Sequence, residues 1–416
     1  MNRAPLTVIM LMRVFLPFAL GYYLSYFYRT VNAVIAPDLI RDLDINANSL
    51  GLLTGTYFIT FAAFQLPLGI LLDRVGPRKT EAVLLIFAAA GALVFSFAES
   101  VGVLIIGRGL IGFGVSACLM ASFKAFADWF PKEKLALTNG LVLAAGGVGA
   151  ITATAPVETA LQFTDWRGVF MVLAGASLVA AAVIYFVVPE RPEAMKKASA
   201  PSIETEIREL GQIFKSPIFI RLIPFCVLSQ STSLSILTLW VGPWLRDVGG
   251  LERDEVANSL LFIAFALMAG FMTTGFIAER FSRIGIKTLT FSTGGMIFFA
   301  VFQIIIVFGD PSFALPIWML FAFTSTTGAV AYAGLSQNFD SSLIGRVNTA
   351  LNLMIFIGAF SFQWGIGAII NLWPAAADGR FAPDGYQTAF VALLILQGLA
   401  IVWLWASKFI WPDYKI

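Results

Sequence analysis

The chain has 416 residues, of which 58% are hydrophobic, 14% aromatic and only 12% charged, with a formal net charge of +2. A soluble domain carries about 25% charged residues, so this chain lacks the polar groups to cover a watery exterior and must turn much of its surface to lipid, where apolar side chains belong outside. A soluble enzyme, a disordered scaffold and a nucleic-acid binder with its basic footprint are excluded.

A bilayer-crossing helix needs about 20 largely apolar residues. On that criterion the first half gives spans at 13–37, 49–72, 80–98, 101–123, 135–158 and 167–188. The first run is too long for a cleavable signal peptide and carries Arg29 and Asn32. Residues 189–216 form a hydrophilic interruption through Lys196 and Lys197 to Glu209, within which Ile203 to Phe214 reads as an amphipathic surface helix. Six more spans follow at 217–245, 256–278, 287–308, 313–337, 347–371 and 386–411. The expected fold is an all-α membrane protein with twelve transmembrane helices in two six-helix bundles, 1–188 and 217–416, joined by the linker 189–216.

Lysines and arginines crowd the loops of one side, among them Arg74, Arg78, Lys79, Lys132, Lys134 and Arg283, while the other side holds Arg41, Arg167, Arg246, Arg253 and Arg380. The positive-inside rule then puts both termini in the cytoplasm and the protein in the inner, cytoplasmic membrane. Arg29 and Arg108 are left within the membrane. The two cysteines, Cys118 and Cys226, lie in apolar runs and imply no disulfide framework, and histidine is absent.

The halves repeat at an offset of 206 residues, which aligns Gly69 with Gly275, Asp73 with Glu279, Arg74 with Arg280 and Pro37 with Pro243. The loop after span 2 reads Gly69-Ile70-Leu71-Leu72-Asp73-Arg74-Val75-Gly76-Pro77-Arg78-Lys79. It resembles the G-x-x-x-D-R-x-G-R-K loop of the major facilitator superfamily, with Pro77 as an extra residue. Gly275 to Arg283 echo it after span 8, and Arg108-Gly109-Leu110-Ile111-Gly112-Phe113-Gly114 in span 4 is similar to a second pattern of that family. The resemblance covers essentially the whole chain. It implies the major facilitator fold, two pseudo-symmetric bundles, and a secondary transporter holding its substrate near the midplane. It also makes Gly69, Asp73, Arg74, Arg78, Glu279 and Arg280 gating candidates, with an acid pairing to an arginine or a helix N-terminus of a neighbouring helix.

A charge at mid-membrane costs at least about 2.5–3.5 kcal/mol, so such a residue normally faces a partner or a cavity. Arg29 shares a polar helix face with Tyr22, Ser25, Tyr26 and Asn32, opposite Leu20, Leu24, Phe27 and Val31. The stretch Tyr26-Phe27-Tyr28-Arg29 resembles span 1 of the superfamily's organic-anion branches, the organophosphate exchangers and anion:cation symporters. By that resemblance Arg29 is the anion-binding candidate and Arg108 its second. Tyr22, Tyr26 and Asn32, with Ser235, Thr238 and Trp240 of span 7 and Tyr332 of span 10, complete the substrate-binding set. The exchangers carry another arginine in span 7, where Ser235 stands opposite Arg29 and no base lies between Arg221 and Arg246. That favours a carboxylate-bearing metabolite or a zwitterion over a phosphoester.

The symporters' glutamate after the span-4 arginine is missing, as is the antiporters' Gly-Pro pair in span 5, where Gly146-Gly147-Val148-Gly149 implies close helix packing instead. Asp38, Glu81, Asp128 and Glu158 are read at helix ends, and no carboxylate is expected deep in a span. Coupling through Asp38 or Glu158, through a proton carried by the substrate, or not at all, remain open. No metal site, cofactor or nucleic-acid partner is expected, and no enzymatic activity. The expected partners are a small-molecule substrate and the lipid bilayer, with a co-transported proton as one option, and the protein acts as a monomer. The competing readings are an exporter of hydrophobic compounds or siderophores in which Arg29 is structural, and a sensor that keeps the carrier fold.

Overall fold

The computed structural model describes residues 8–190, 203–336, 338–339, 343–376 and 378–411, so the expected linker lysines Lys196 and Lys197 lie outside the described residues. Among the described residues ten helices are long and apolar enough to cross a membrane, and two bent pairs bring the number to twelve when each pair is taken as one span. In chain order they are span 1 (Val8–Thr30, continued by Asn32–Leu43), span 2 (Ala47–Ala63 with Gln65–Arg74), span 3 (Pro77–Ser96), span 4 (Val101–Trp129), span 5 (Leu135–Thr152 with Ala155–Leu161) and span 6 (Trp166–Val187). After the amphipathic helix Ile203–Phe214 come span 7 (Pro217–Asp247), span 8 (Arg253–Arg283), span 9 (Thr288–Phe308), span 10 (Pro311–Tyr332), span 11 (Ile344–Ile370) and span 12 (Pro383–Ile410). Among the described residues there is no strand.

Local chemistry sets where these helices begin. Pro77, Pro217 and Pro383 stand at first helical positions, where a missing N–H costs nothing. Asp165 caps span 6 by accepting from the backbone N–H of Gly168 at 2.8 Å. Glu252 and Glu255 form a reciprocal capping box at the start of span 8. The loop before span 3 turns on Gly76 at φ +90°, and the loop before span 9 turns on Gly285 at φ +89°. The second gate loop thus repeats the glycine turn of the first with three extra residues inserted, which the constant offset hides.

The chain divides into two compact units. The first holds the described residues within Met1–Asp38 and Thr56–Ile203, and the second those within Leu39–Gly55 and Glu204–Ile416. In the first unit span 1 lies along span 5, with Gly149 against the Tyr23 carbonyl, so the glycines of span 5 serve close approach as their spacing suggested. In the second unit the first half of span 2 packs on span 11, where Trp364 Nε1 donates to Asn48 Oδ1 at 2.7 Å and Gly51 faces the Gln363 carbonyl. The helix Ile203–Phe214 buries Leu210 and Ile213, and its Glu209 ion-pairs with Arg346 at the start of span 11.

One expectation is corrected here. Glu81 is not at a solvated helix end: it lies a turn inside span 3 with no exposed surface, facing Gly21 of span 1. Proximity to a helix terminus in sequence says nothing about which face a residue turns inward.

Candidate functional site

Arg29 stands in span 1 just before Val31, where the helix passes from Leu16–Thr30 to Asn32–Leu43 with its ladder kept: the Val31 N–H donates to the Phe27 carbonyl at 3.0 Å and the Ile35 N–H to the Val31 carbonyl at 3.2 Å. Arg29 is 6% exposed. Its guanidinium carbon sits over the rings of Tyr26 at 4.6 Å, Phe61 at 5.6 Å and Tyr57 at 5.8 Å. Each cation–π contact is worth about 0.5–2 kcal/mol, more when desolvated, so three faces offset much of the cost of burying the charge. Tyr22 packs edge-on against Tyr26, centroids 5.1 Å apart. Gly146 of span 5 leaves room for both rings: a Cβ there would meet Tyr22 at 2.6 Å and Tyr26 at 2.9 Å. Three of the expected residues, Arg29, Tyr22 and Tyr26, therefore form one cluster, with the buried Asn32 three residues beyond Arg29.

Arg108 is fully enclosed. Its Nη1 donates to the Tyr28 carbonyl at 2.7 Å, and its guanidinium lies 5.0 Å from the Tyr57 ring. Tyr57 thus has both buried arginines within reach of its ring, while its hydroxyl donates to the Ser25 carbonyl at 3.2 Å. The arrangement makes Arg108 a brace between span 4 and the segment carrying Arg29.

The remaining expected binding residues lie in the second unit, and their polar groups are engaged in helix contacts. Ser235 donates to the Ala359 carbonyl at 3.0 Å and Trp240 Nε1 to the Gln363 carbonyl at 3.1 Å, tying span 7 to span 11. Thr238 donates to the Leu234 carbonyl within its own helix at 2.6 Å, and Tyr332 to Asn352 Oδ1 at 3.2 Å.

Around the first gate loop, Lys124 Nζ of span 4 donates to Asp73 Oδ1 at 2.6 Å. A lysine of span 4 is thus one partner of Asp73. Arg78 Nε donates to the Tyr185 carbonyl of span 6 at 2.7 Å, and Arg74 is exposed beside it. Arg74, Arg78, Lys79, Asp128 and Glu190 border a cavity of about 240 Å³. In the second half Glu279 pairs with Arg283 of its own helix at 2.7 Å. That contact joins residues one turn apart on the same helix surface. Gly69 and Gly275 lie on exposed helix faces.

Sequence reasoning missed Tyr57, Phe61 and Lys124. The two aromatics sit in the apolar run of span 2, where composition cannot separate a cation's platform from ordinary core. Lys124 was one more base on the positive side. Among the described residues no group of acids, cysteines or histidines could hold a metal ion.

A profile of the Major Facilitator Superfamily matches residues 18–363. Similar proteins include the hexuronate transporter of Bacillus subtilis, 26% identical over 393 residues covering 90% of this chain and 91% of that one. A probable sulfoacetate transporter of Cupriavidus necator is 24% identical over 300 residues, 67% of each chain. Among solved structures, a bacterial homolog of the human lysosomal transporter Spinster superposes with a TM-score of 0.76 at 18% identity, covering 95% of this chain and 96% of that one.

Proposed function

The chain belongs to the Major Facilitator Superfamily, and we propose that it is a secondary carrier for a small, carboxylate-bearing organic anion of the sugar-acid class, working by alternating access. It is a multi-pass membrane transport protein and not an enzyme. The observation that carries the substrate reading is the buried Arg29 guanidinium of span 1 in its aromatic setting of Tyr22, Tyr26, Tyr57 and Phe61. A guanidinium offers a planar, two-pronged fork to a carboxylate, while tyrosine rings and hydroxyls suit a polyhydroxylated body. The names of the hexuronate and sulfoacetate relatives support the same chemistry, since both describe compact organic acids.

In this reading Arg29 takes the carboxylate, and Tyr22, Tyr26 and Asn32 line the ligand's body. Arg108 positions Arg29 rather than touching the ligand. Asp73 and Lys124 form the clasp that opens and closes with transport. The protein resides in the inner membrane as a monomer with both termini in the cytoplasm.

The test is uptake of radiolabelled D-galacturonate, D-glucuronate and sulfoacetate into proteoliposomes. Saturable uptake of at least one, abolished in Arg29→Ala, is expected. No uptake of any acid, together with efflux of hydrophobic dyes that Arg29→Ala leaves intact, would establish the exporter reading in its place.

A further inference from the structure

We propose that Glu81 is a proton-binding site within the first unit, taking up and releasing a proton as span 1 and span 4 move against span 3. Glu81 stands four residues after Pro77, about 6 Å along the helix axis. It has no exposed surface, and neither carboxyl oxygen meets a hydrogen-bond donor in good geometry. Its Oε1 rests against the bare Cα of Gly21 in span 1, where any Cβ would collide with it. The Cys118 thiol of span 4, at the first residue of the helix Cys118–Trp129 that follows Val101–Gly114, is beside it.

A carboxyl in such a place is costly as an ion. The penalty for a buried, unpaired charge is several kcal/mol, whereas the neutral acid loses only what an unsatisfied hydroxyl loses. The charged and titratable groups of the packed helices do not supply a counter-ion. Lys124 of span 4 is held by Asp73 of span 2, Arg108 of span 4 by the Tyr28 carbonyl, and Arg78 by span 6 at Tyr185. Arg74 lies exposed at the end of span 2. Span 1 presents Gly21, and span 6 presents Ile184 next to it.

Gly21 and Arg29 share one helix of span 1, so a movement of span 1 with the anion seated on Arg29 also opens and closes the contact between Gly21 and Glu81, and anion and proton are taken up together and released together when water enters there. This last step rests on the anion reading of Arg29. The proton site itself rests only on the packing around Glu81.

Two measurements separate these. Full-length purified protein without substrate is titrated across about pH 5 to 9 and followed by infrared difference spectroscopy. A titrating carboxylic-acid C=O band that is absent in Glu81→Gln and shifted in Glu81→Asp is expected. Superimposable spectra of wild type and both variants overturn the proposal. In proteoliposomes with D-galacturonate as probe, one pH unit should drive about tenfold accumulation at one proton per anion, since tenfold corresponds to about 1.4 kcal/mol. Glu81→Gln should keep exchange of the probe across the membrane and lose the accumulation. Accumulation undiminished in Glu81→Gln overturns the proposal. Should wild type not carry D-galacturonate, the substrate reading fails and the infrared titration alone decides Glu81.

Discussion

Arg108 of span 4 donates from Nη1 to the main-chain carbonyl of Tyr28, the residue immediately before Arg29. A fully buried cation is thereby spent on holding the backbone that presents the other one. A charge-assisted bond of this kind contributes about 1.5–3 kcal/mol. Arg108→Ala should therefore lower the melting temperature of the purified carrier and raise the KM for its substrate. Arg108→Lys should recover only part of either, because an ammonium cannot keep both the carbonyl bond and the flat contact with Tyr57. Melting curves matching wild type in Arg108→Ala would deny the brace.

Arg29 differs in what its loss removes. Its guanidinium lies over three ring faces, so Arg29→Ala relieves a buried charge while deleting those three cation–π contacts. These roughly cancel, at about 0.5–2 kcal/mol per contact against about 2.5–3.5 kcal/mol for the buried charge. The variant should melt close to wild type yet bind D-galacturonate at least about a hundredfold more weakly, a loss of about 2.7 kcal/mol. Calorimetric titration checks this. Affinity within a factor of a few of wild type would remove Arg29 from the site.

Gly146 tests the aromatic setting without touching a charge. A methyl group there intrudes on both Tyr22 and Tyr26, and overpacking of this kind costs about 1–3 kcal/mol. Gly146→Ala should lower both thermal stability and uptake. Gly140→Ala, one helix face away with nothing within 4 Å, should be neutral or slightly stabilising. Equal behaviour of the two would mean that the rings have room to move.

Hydropathy alone revealed the twelve spans and the linker helix, because a bilayer imposes a length and an apolar composition that no soluble fold shares. The polar face of span 1 was legible for the same reason: Arg29 with Tyr22 and Tyr26 is conspicuous against its greasy flanks. Glu81 was misplaced because sequence position gives depth along a helix but not the direction a side chain turns. The hydroxyls of Ser235 and Thr238 and the indole of Trp240 read as ligand contacts, and the sequence could not show that each also bonds to a carbonyl of its own or a neighbouring span. Tyr57 could be singled out only by a partner from another span.

The Asp73–Lys124 pair is about one-third exposed on each side, so its contribution to stability is at most about 1 kcal/mol. Its effect should appear in the transport cycle. Asp73→Asn is expected to slow D-galacturonate uptake severalfold with KM unchanged, and the exchanged pair Asp73→Lys with Lys124→Asp to restore a good part of the rate. Measuring both variants in proteoliposomes decides the matter. A charge exchange no better than either single substitution would mean that the ion pair is incidental to gating.

Gly76 offers the sharpest test of the gate loop's geometry. Its φ of 90° and ψ of 160° fall in a region that is essentially closed to residues with a Cβ, at about 1–3 kcal/mol for those forced into it. The proline that follows requires the extended ψ, so the turn cannot relax into a left-handed helical conformation as a lone strained residue otherwise would. Nothing lies within 4 Å of the missing Cβ, and any cost of Gly76→Ala is therefore backbone strain and not collision. The turn sets the direction in which span 3 departs from Asp73 and its partner Lys124, so strain there should lower the melting temperature and slow transport together. Gly285→Ala at φ +89° in the corresponding loop should show the same direction of effect. Gly102→Ala, equally uncrowded but inside the helix of span 4, serves as the control and should be neutral or stabilising. Melting curves for the three variants side by side would decide it: Gly76→Ala behaving like Gly102→Ala would show that the loop re-forms without its glycine, and the repeated turn would then be a relic of the internal duplication rather than a requirement of the gate.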